Sequence, residues 1–337
     1  MSTDTRTADT SAPTAPSQVD SQAKQKLLAF ASLIALIVIF SVLKPDAFFT
    51  SDNIIGILQS TTVIGVLAIA STFIIITSGI DLSVGVLMTF CAVTAGVLMV
   101  NLGLPLWVGV PGAIGVGALC GMVSGLAITK LRVPPFIATL GMMMLLKGAS
   151  LIITKTRPIY FNDVEGFDAI SLGSVLGDIL PFLPIPNAVL IMFIVAVLSA
   201  VILNTTALGR YTFALGSNEE AVRLSGVNVD RWKVIIYAFS GGICGIAGIL
   251  IASRLNSAQP ALGQGYELDA IAAVVIGGTS LSGGVGTILG TIIGAFIMSV
   301  LINGLRIMSV AQEWQMVLTG LIIILAVYTD NLRRKKQ

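Results

Sequence analysis

The 337-residue chain contains no histidine. That absence removes the commonest general base, the commonest metal ligand and every serine or cysteine triad that relies on imidazole. Charge is scarce as well: 11% of the residues are Asp, Glu, Lys or Arg, for a net charge of +2. The basic residues stand at segment ends without aromatic interleaving, so there is no nucleic-acid footprint. The three cysteines, Cys91, Cys120 and Cys244, lie inside apolar runs with neither Cys-x-x-Cys nor metal-ligand spacing, and read as small core hydrophobes. No Gly-x-x-x-x-Gly-Lys-Ser/Thr phosphate loop occurs. Gly277–Gly286, GGTSLSGGVG, lacks the lysine that would reach a nucleotide and reads as a flexible or closely packed connection. With neither a nucleophile–base pair nor a metal constellation, an intramembrane enzyme is disfavoured, and the chain is expected to bind no cofactor of its own.

What fills the chain instead is apolar: 55% of it is hydrophobic, which defines an all-α, polytopic membrane protein. About ten apolar segments follow one another, near 27–43, 54–77, 84–100, 106–128, 136–153, 188–203, 234–252, 268–281, 288–304 and 315–328. The eighth is short and opens beside Glu267 and Asp269, which marks a broken or shielded helix. Residues 1–26 are expected to be a disordered cytoplasmic tail, 27–330 the transmembrane domain and 331–337 a basic cytoplasmic tail. The first apolar run is a span rather than a signal peptide, because the preceding region is long and partly acidic and no small-residue cleavage site follows. Both ends are basic, through Lys24 and Lys26 and through Arg333 to Lys336. Positive residues stay inside, so the span number is even and both termini are cytoplasmic. Residues 204–233 then form a cytoplasmic loop, and 154–187 a periplasmic one. Membrane lipid surrounds the rest. Trp107, Trp232 and Trp314, at segment ends, fit an aromatic belt.

Glycines four apart form three rows, Gly117–Gly121–Gly125, Gly286–Gly290–Gly294 and Gly241–Gly245, as close helix packing requires. Gly79-Ile80-Asp81-Leu82-Ser83 and Gly265-Tyr266-Glu267-Leu268-Asp269 share the order Gly, apolar, acid, Leu, polar. Five spans lie between them, so the two copies would form inverted repeats with a solute path at their interface. Polar residues at membrane depth are the path candidates: Thr77, Asp81, Ser83, Gln259, Glu267, Asp269 and Asn303, with Ser78, Lys147 and Glu313 beside them. Asp81 and Glu267 also stand where a carboxylate can cap a helix, and the sequence leaves capping and path lining both open. It names no partner for Lys147.

Leu208–Lys233, LGRYTFALGSNEEAVRLSGVNVDRWK, is the most charged interruption of the apolar second half. Each buried charge there would cost about 3 kcal/mol, so the segment lies in water. Ser217 with Glu220 forms a capping box and Gly226 a left-handed stop, predicting a short helix over 218–225. A helix below about 12 residues is marginal alone, so it is expected to dock on another component.

This segment resembles the cytoplasmic coupling segment of ABC importer permeases, whose Glu-Ala-Ala-x-x-x-Gly signature reads here Glu220-Ala221-Val222, three residues, Gly226, with Val222 departing from it. The wider stretches GRYTFALGSNEEAVRLSGVNVDRWK and SAQPALGQGYELDAIAAVVIGGTSLSGG are similar to the ribose-type monosaccharide permeases, a likeness running from about Lys44 to the C-terminus. The resemblance implies two copies of the permease, a separate ATP-binding subunit that carries ATP and Mg, and a periplasmic sugar-binding protein. It also implies that Arg210, Asn218, Glu219, Glu220, Ala221, Arg223 and Gly226 couple to the ATPase, and that ribose-type pentoses are the first substrates to consider. The competing reading is an ion-coupled secondary transporter of a small polar solute, with Asp81, Glu267 and Asp269 as ion sites.

Overall fold

The structure, a computed structural model, describes residues 18–179 and 184–334. They form helices α1 (Gln18–Leu43), α2 (Pro45–Phe48), α3 (Ser51–Ile76), α4 (Val84–Gly96, extended by a π-helical turn Val97–Asn101), α5 (Leu106–Lys130), α6 (Pro135–Thr154), α7 (Val175–Ile179), α8 (Asn187–Thr205), α9 (Ala207–Leu224), α10 (Val229–Leu255), α11 (Tyr266–Ile276), α12 (Ile288–Ile307) and α13 (Gln312–Arg334). Two short strands, β1 (Ile159–Tyr160) and β2 (Ser257–Ala258), pair antiparallel.

Each apolar segment in the sequence coincides with a helix, but not all have the reach of a full span. Seven are long and apolar enough to cross a membrane: α3, α4 with its extension, α5, α6, α8, α10 and α12. The apolar parts of α1 and α13, Leu27–Leu43 and Gln312–Leu325, are shorter. Helix α11 has 11 residues, about 16 Å at 1.5 Å per residue, roughly half the hydrocarbon thickness.

Two boundaries differ from expectation. Of the tail expected over 1–26, residues 1–17 lie outside the described residues, and from Gln18 the chain is already helical. Gln, Ala and Lys in this stretch are good helix formers and carry the helix back from the apolar run. Of 331–337, residues 331–334 end α13 and 335–337 lie outside the described residues.

Helix α3 is the axis of the bundle. Apolar on every side, it is buried continuously from Thr61 to Ile76 and packs on α8, α10, α11 and α12, as a helix without a polar face must. Phe73 meets Phe239 of α10 edge-on at 4.9 Å, and the hydroxyls of Thr72 and Thr291 share a hydrogen bond of 2.7 Å. The predicted glycine rows are the closest joints. Gly117 and Gly121 of α5 lie against the backbone of Gly241 and Tyr237 in α10, leaving no room for a β-carbon. Gly290 and Gly294 of α12 lie likewise against Gly277 and Ala273 at the end of α11.

These contacts give the bundle two opposite faces. The C-terminal end of α3 meets α9 and the 277–286 connection, where Gly284 N–H donates to the Ile76 carbonyl at 2.9 Å. At the other face β1 pairs β2 beyond the end of α10. The 154–187 excursion, described except for 180–183, is anchored there rather than free. Ser253 Oγ donates to Phe167 O at 2.6 Å, and Phe161 and Phe167 stack at 4.0 Å, both buried.

Candidate functional site

The charged segment 204–233 folds back along the bundle in two helical pieces. Helix α9 is broken at Asn218, whose backbone is extended (φ −161°, ψ 96°). Asn218 Oδ1 accepts from Ala221 N–H at 2.9 Å, so the cap of the second piece is Asn218, not the predicted Ser217. The displacement has a physical cause. Gly216 lies directly on the Ile76 carbonyl and against Gly284 N, which holds Ser217 in the first helix and defers the break by one residue. The second piece ends at Leu224, and Gly226 takes the expected left-handed turn (φ +83°).

Ion pairs tie this piece to α10, and α10 in turn to α5. Glu219 pairs with Arg223 at 3.2 Å and with Lys233 of α10 at 2.7 Å, while Asp230 lies 3.9 Å from both Arg223 and Lys130 at the end of α5. Partial burial alone would raise the Glu219 carboxyl, but the hydrogen bonds and charges of Lys233 and Arg223 outweigh it and hold the pKa below the usual carboxylate range. Tyr211 and Trp232 add a ring contact at 4.4 Å. Arg210 turns back instead, donating to the Thr205 carbonyl at 3.2 Å, at the end of α8.

Glu219 and Arg223 therefore serve the internal fastening, and the outward surface is Glu220, Ala221 and Leu224, all exposed. Leu224 is 82% exposed, an unusual position for a leucine in water. Val222, where the signature has alanine, is half-buried against the core, so the departure lies on the inward side.

Behind this surface stands a junction of three chain segments. Ser78 just past α3 has a left-handed backbone (φ +62°), and its hydroxyl donates to Ser282 O at 2.7 Å, with Gly216 O at 3.4 Å. The glycine-rich stretch is a tight turn, closed by Ser280 N–H to Val285 O at 3.0 Å and Gly283 N–H to Ser280 O at 3.0 Å.

The path candidates divide into three groups. Asp81 and Glu267 are both buried and both engage nearby donors: Asp81 Oδ1 accepts from Ser83 N–H (2.7 Å) and Ser83 Oγ (2.6 Å), and Glu267 accepts from Gly265 N–H at 3.1 Å. Gly85 rests on Gly263 O and the Glu267 carboxylate, so α4 and α11 meet at their N-terminal ends. Thr77 and Gln259 lie outside this centre. Thr77 Oγ1 donates to Ile74 O at 2.7 Å, and exposed Gln259 Nε2 reaches Ser257 Oγ at 3.4 Å beside β2.

Asp269 and Asn303 line a cavity of about 490 Å³ between α3, α11, α12, α13 and the end of α10. Asn303 Nδ2 donates to Asn53 Oδ1 at 2.9 Å. The cavity also takes in Arg254, Gln264, Ser299 and Arg306, none of which stands out in the sequence as a path candidate. Lys147 of α6 has a partner there: its ammonium donates to Gln264 Oε1 at 2.9 Å. Among the described residues no group of three or more His, Cys, Asp or Glu could hold a metal.

A bundle of apolar helices, with α4 and the half-length α11 meeting at their N-terminal ends and one charged helix at a face, defines a membrane transport protein without a nucleotide site of its own. Its sequence places it in a family. The family described as "Branched-chain amino acid transport system / permease component" matches residues 53–327, and the chain belongs to it. It is 45% identical over 309 residues to the ribose import permease of Escherichia coli K12, covering 91% of this chain and 92% of that protein. It is 44% identical over 306 residues to the ribose import permease of Haemophilus influenzae (90% and 92%) and 37% identical over 308 residues to the fructose import permease of Rhizobium meliloti (90% and 84%). No solved structure gives a significant match.

Proposed function

We propose that this chain is the membrane permease of an ABC importer for a monosaccharide, ribose or a close relative, and that α9 beyond Asn218 is its handle for a separate ATPase. The observation that carries the reading is the outward surface of Glu220, Ala221 and Leu224 on a helix too short to persist alone yet fastened to the bundle by ion pairs. Such a surface needs a partner, and without a phosphate loop in this chain ATP and Mg reside on that partner. A soluble sugar-binding protein delivers the substrate on the other side. A second copy of the chain completes the assembly, as the resemblance to ribose-type permeases implies.

Sidedness follows from charge. Lys130, Arg132, Arg210, Arg223, Arg231 and Lys233 belong to the α9 side and make it cytoplasmic. The β1–β2 side, with the 154–187 excursion, is then periplasmic, and the chain makes ten transits, the eighth shared between the 256–265 loop and α11. In support of inverted repeats, the motifs around Asp81 and Glu267 open two helices that start at a common point and run to opposite faces: α4 toward β1, where Gly96 meets Ile159, and α11 toward the 277–286 turn. Coupling to an ion gradient is less well supported, because Asp81 and Glu267 already accept local backbone donors and Asp269 shares its cavity with two arginines.

ATP-dependent uptake of labelled sugars into proteoliposomes holding this chain, its ATPase and its binding protein tests the assignment. Uptake that follows an ion gradient with no ATPase present overturns it.

A further inference from the structure

The cavity of about 490 Å³ lies within the size range of small-molecule sites, and its chemistry is specific. On α12, Ser299, Ile302, Asn303 and Arg306 recur at helical spacing and turn one face to it. Two of these residues carry unanswered polar atoms. Ser299 Oγ, in a side chain only 1% exposed, has no hydrogen-bond partner among the described residues. Asn303 donates one amide hydrogen to Asn53 and leaves its carbonyl Oδ1 buried without a donor among the described residues. A buried polar atom is normally paired, and these two border one cavity.

The charged groups point the same way. Arg254 and Arg306 both line the cavity, and neither has a carboxylate within 4.0 Å among the described residues. Among the described residues of the wall, Asp269 is the only acid. Two guanidinium groups disfavour a cation, and one carboxylate facing the same space disfavours a simple anion. Donor-only arginine, acceptor-only aspartate and carboxamides that do both suit a neutral ligand whose groups each donate and accept, which is what a sugar hydroxyl does. Apolar Ile302 and Ile323 supply wall for the C–H edges of a ring.

We infer that this cavity binds one monosaccharide within a single copy of the chain, with Asp269, Ser299, Asn303 and Arg306 bonding its hydroxyls. The inference rests on the sugar-importer reading and adds to it a stopping place inside the protomer, at the periplasmic ends of α10 and α12. Binding there is directly measurable by protection of an engineered thiol. Thr319→Cys, on the α13 wall of the cavity and outside the bonding set, in the full chain with its ATPase in nanodiscs, is exposed to a small hydrophilic thiol reagent with and without ribose.

Ribose at about ten times its dissociation constant should slow the modification of T319C roughly tenfold, by mass action. Leu102→Cys, at a site 63% exposed and away from the cavity, should label at one rate throughout. Met316→Cys, also on the α13 wall, repeats the test if T319C does not insert. Equal labelling with and without ribose, in an assembly that imports ribose with ATP, overturns the inference alone. Protection by inorganic phosphate but not ribose overturns it in favour of an anion site. Failure of that assembly to import any monosaccharide refutes the importer reading instead.

Discussion

The hydroxyl of Ser78, at the end of the central helix, donates to the carbonyl of Ser282 at 2.7 Å, joining positions 204 residues apart in the chain. Because Gly216 of the α9 segment backs onto the same place, a push on α9 reaches α3 and the 277–286 turn together. Removing the hydroxyl costs about 1 kcal/mol of bonding, too little to unfold the bundle but enough to loosen the joint. Ser78→Ala is expected to lower sugar moved per ATP hydrolysed severalfold. Ser78→Gly, which suits φ +62° but lacks the hydroxyl, should behave the same. Wild-type stoichiometry in S78G would show that backbone shape alone matters there.

The outward surface of α9 makes its own prediction. Leu224→Asp withdraws an apolar side chain worth roughly 2 kcal/mol on burial, about 30-fold in affinity, from the ATPase contact. Glu220→Lys reverses a charge in the same surface. Both variants should reach the membrane in normal amount, fail to retain the ATPase on purification, and import no sugar. Normal uptake by E220K would remove α9 as the handle.

Acidity should act through Glu219. Its pKa is held below the ordinary carboxylate value by Lys233 and Arg223, so the ionised form is favoured in the folded protein. The stabilisation is present above the unfolded-state pKa and is lost as pH falls through the lower folded one. Retention of the ATPase should therefore be flat through neutrality and weaken only in acid. Glu219→Gln should weaken it at pH 7 and flatten the acid limb, and added salt should mimic the variant, since the pair is partly exposed. Retention by E219Q with the wild-type acid limb would assign that limb to another group.

At the α5–α10 joint, Gly121 faces the Tyr237 carbonyl with no space for a methyl group. Gly121→Val must separate two backbones, and overpacking of this kind costs about 1–3 kcal/mol. A lower melting temperature of the purified protein in detergent is the expected result. An unchanged melting temperature would mean that the helices part freely.

Local chemistry made much of this legible. Each apolar run gave a helix, seven of them long and apolar enough to cross a membrane, the glycine rows gave the tight joints, and the density of charge around Glu219 and Arg223 marked α9. Misreadings came where distant contacts decide. Ser217 and Asn218 are both good caps, and only the lodging of Gly216 on Ile76 selects the second. The partners of Lys147 and Ser78 lie 117 and 204 residues away, beyond any local pattern. Arg254 and Arg306 resemble ordinary end-of-helix cations until the fold sets them around one space.

Gly85 lies against the carbonyl of Gly263 beside the Glu267 carboxylate, so α4 and the start of α11 meet backbone to backbone. Because a backbone carbonyl rather than the end of a flexible side chain stands nearest to Gly85, this contact works as a hard stop. Any opening along it has to shift α4 or α11 bodily, and a lever that moves whole helices is what a remote engine can drive.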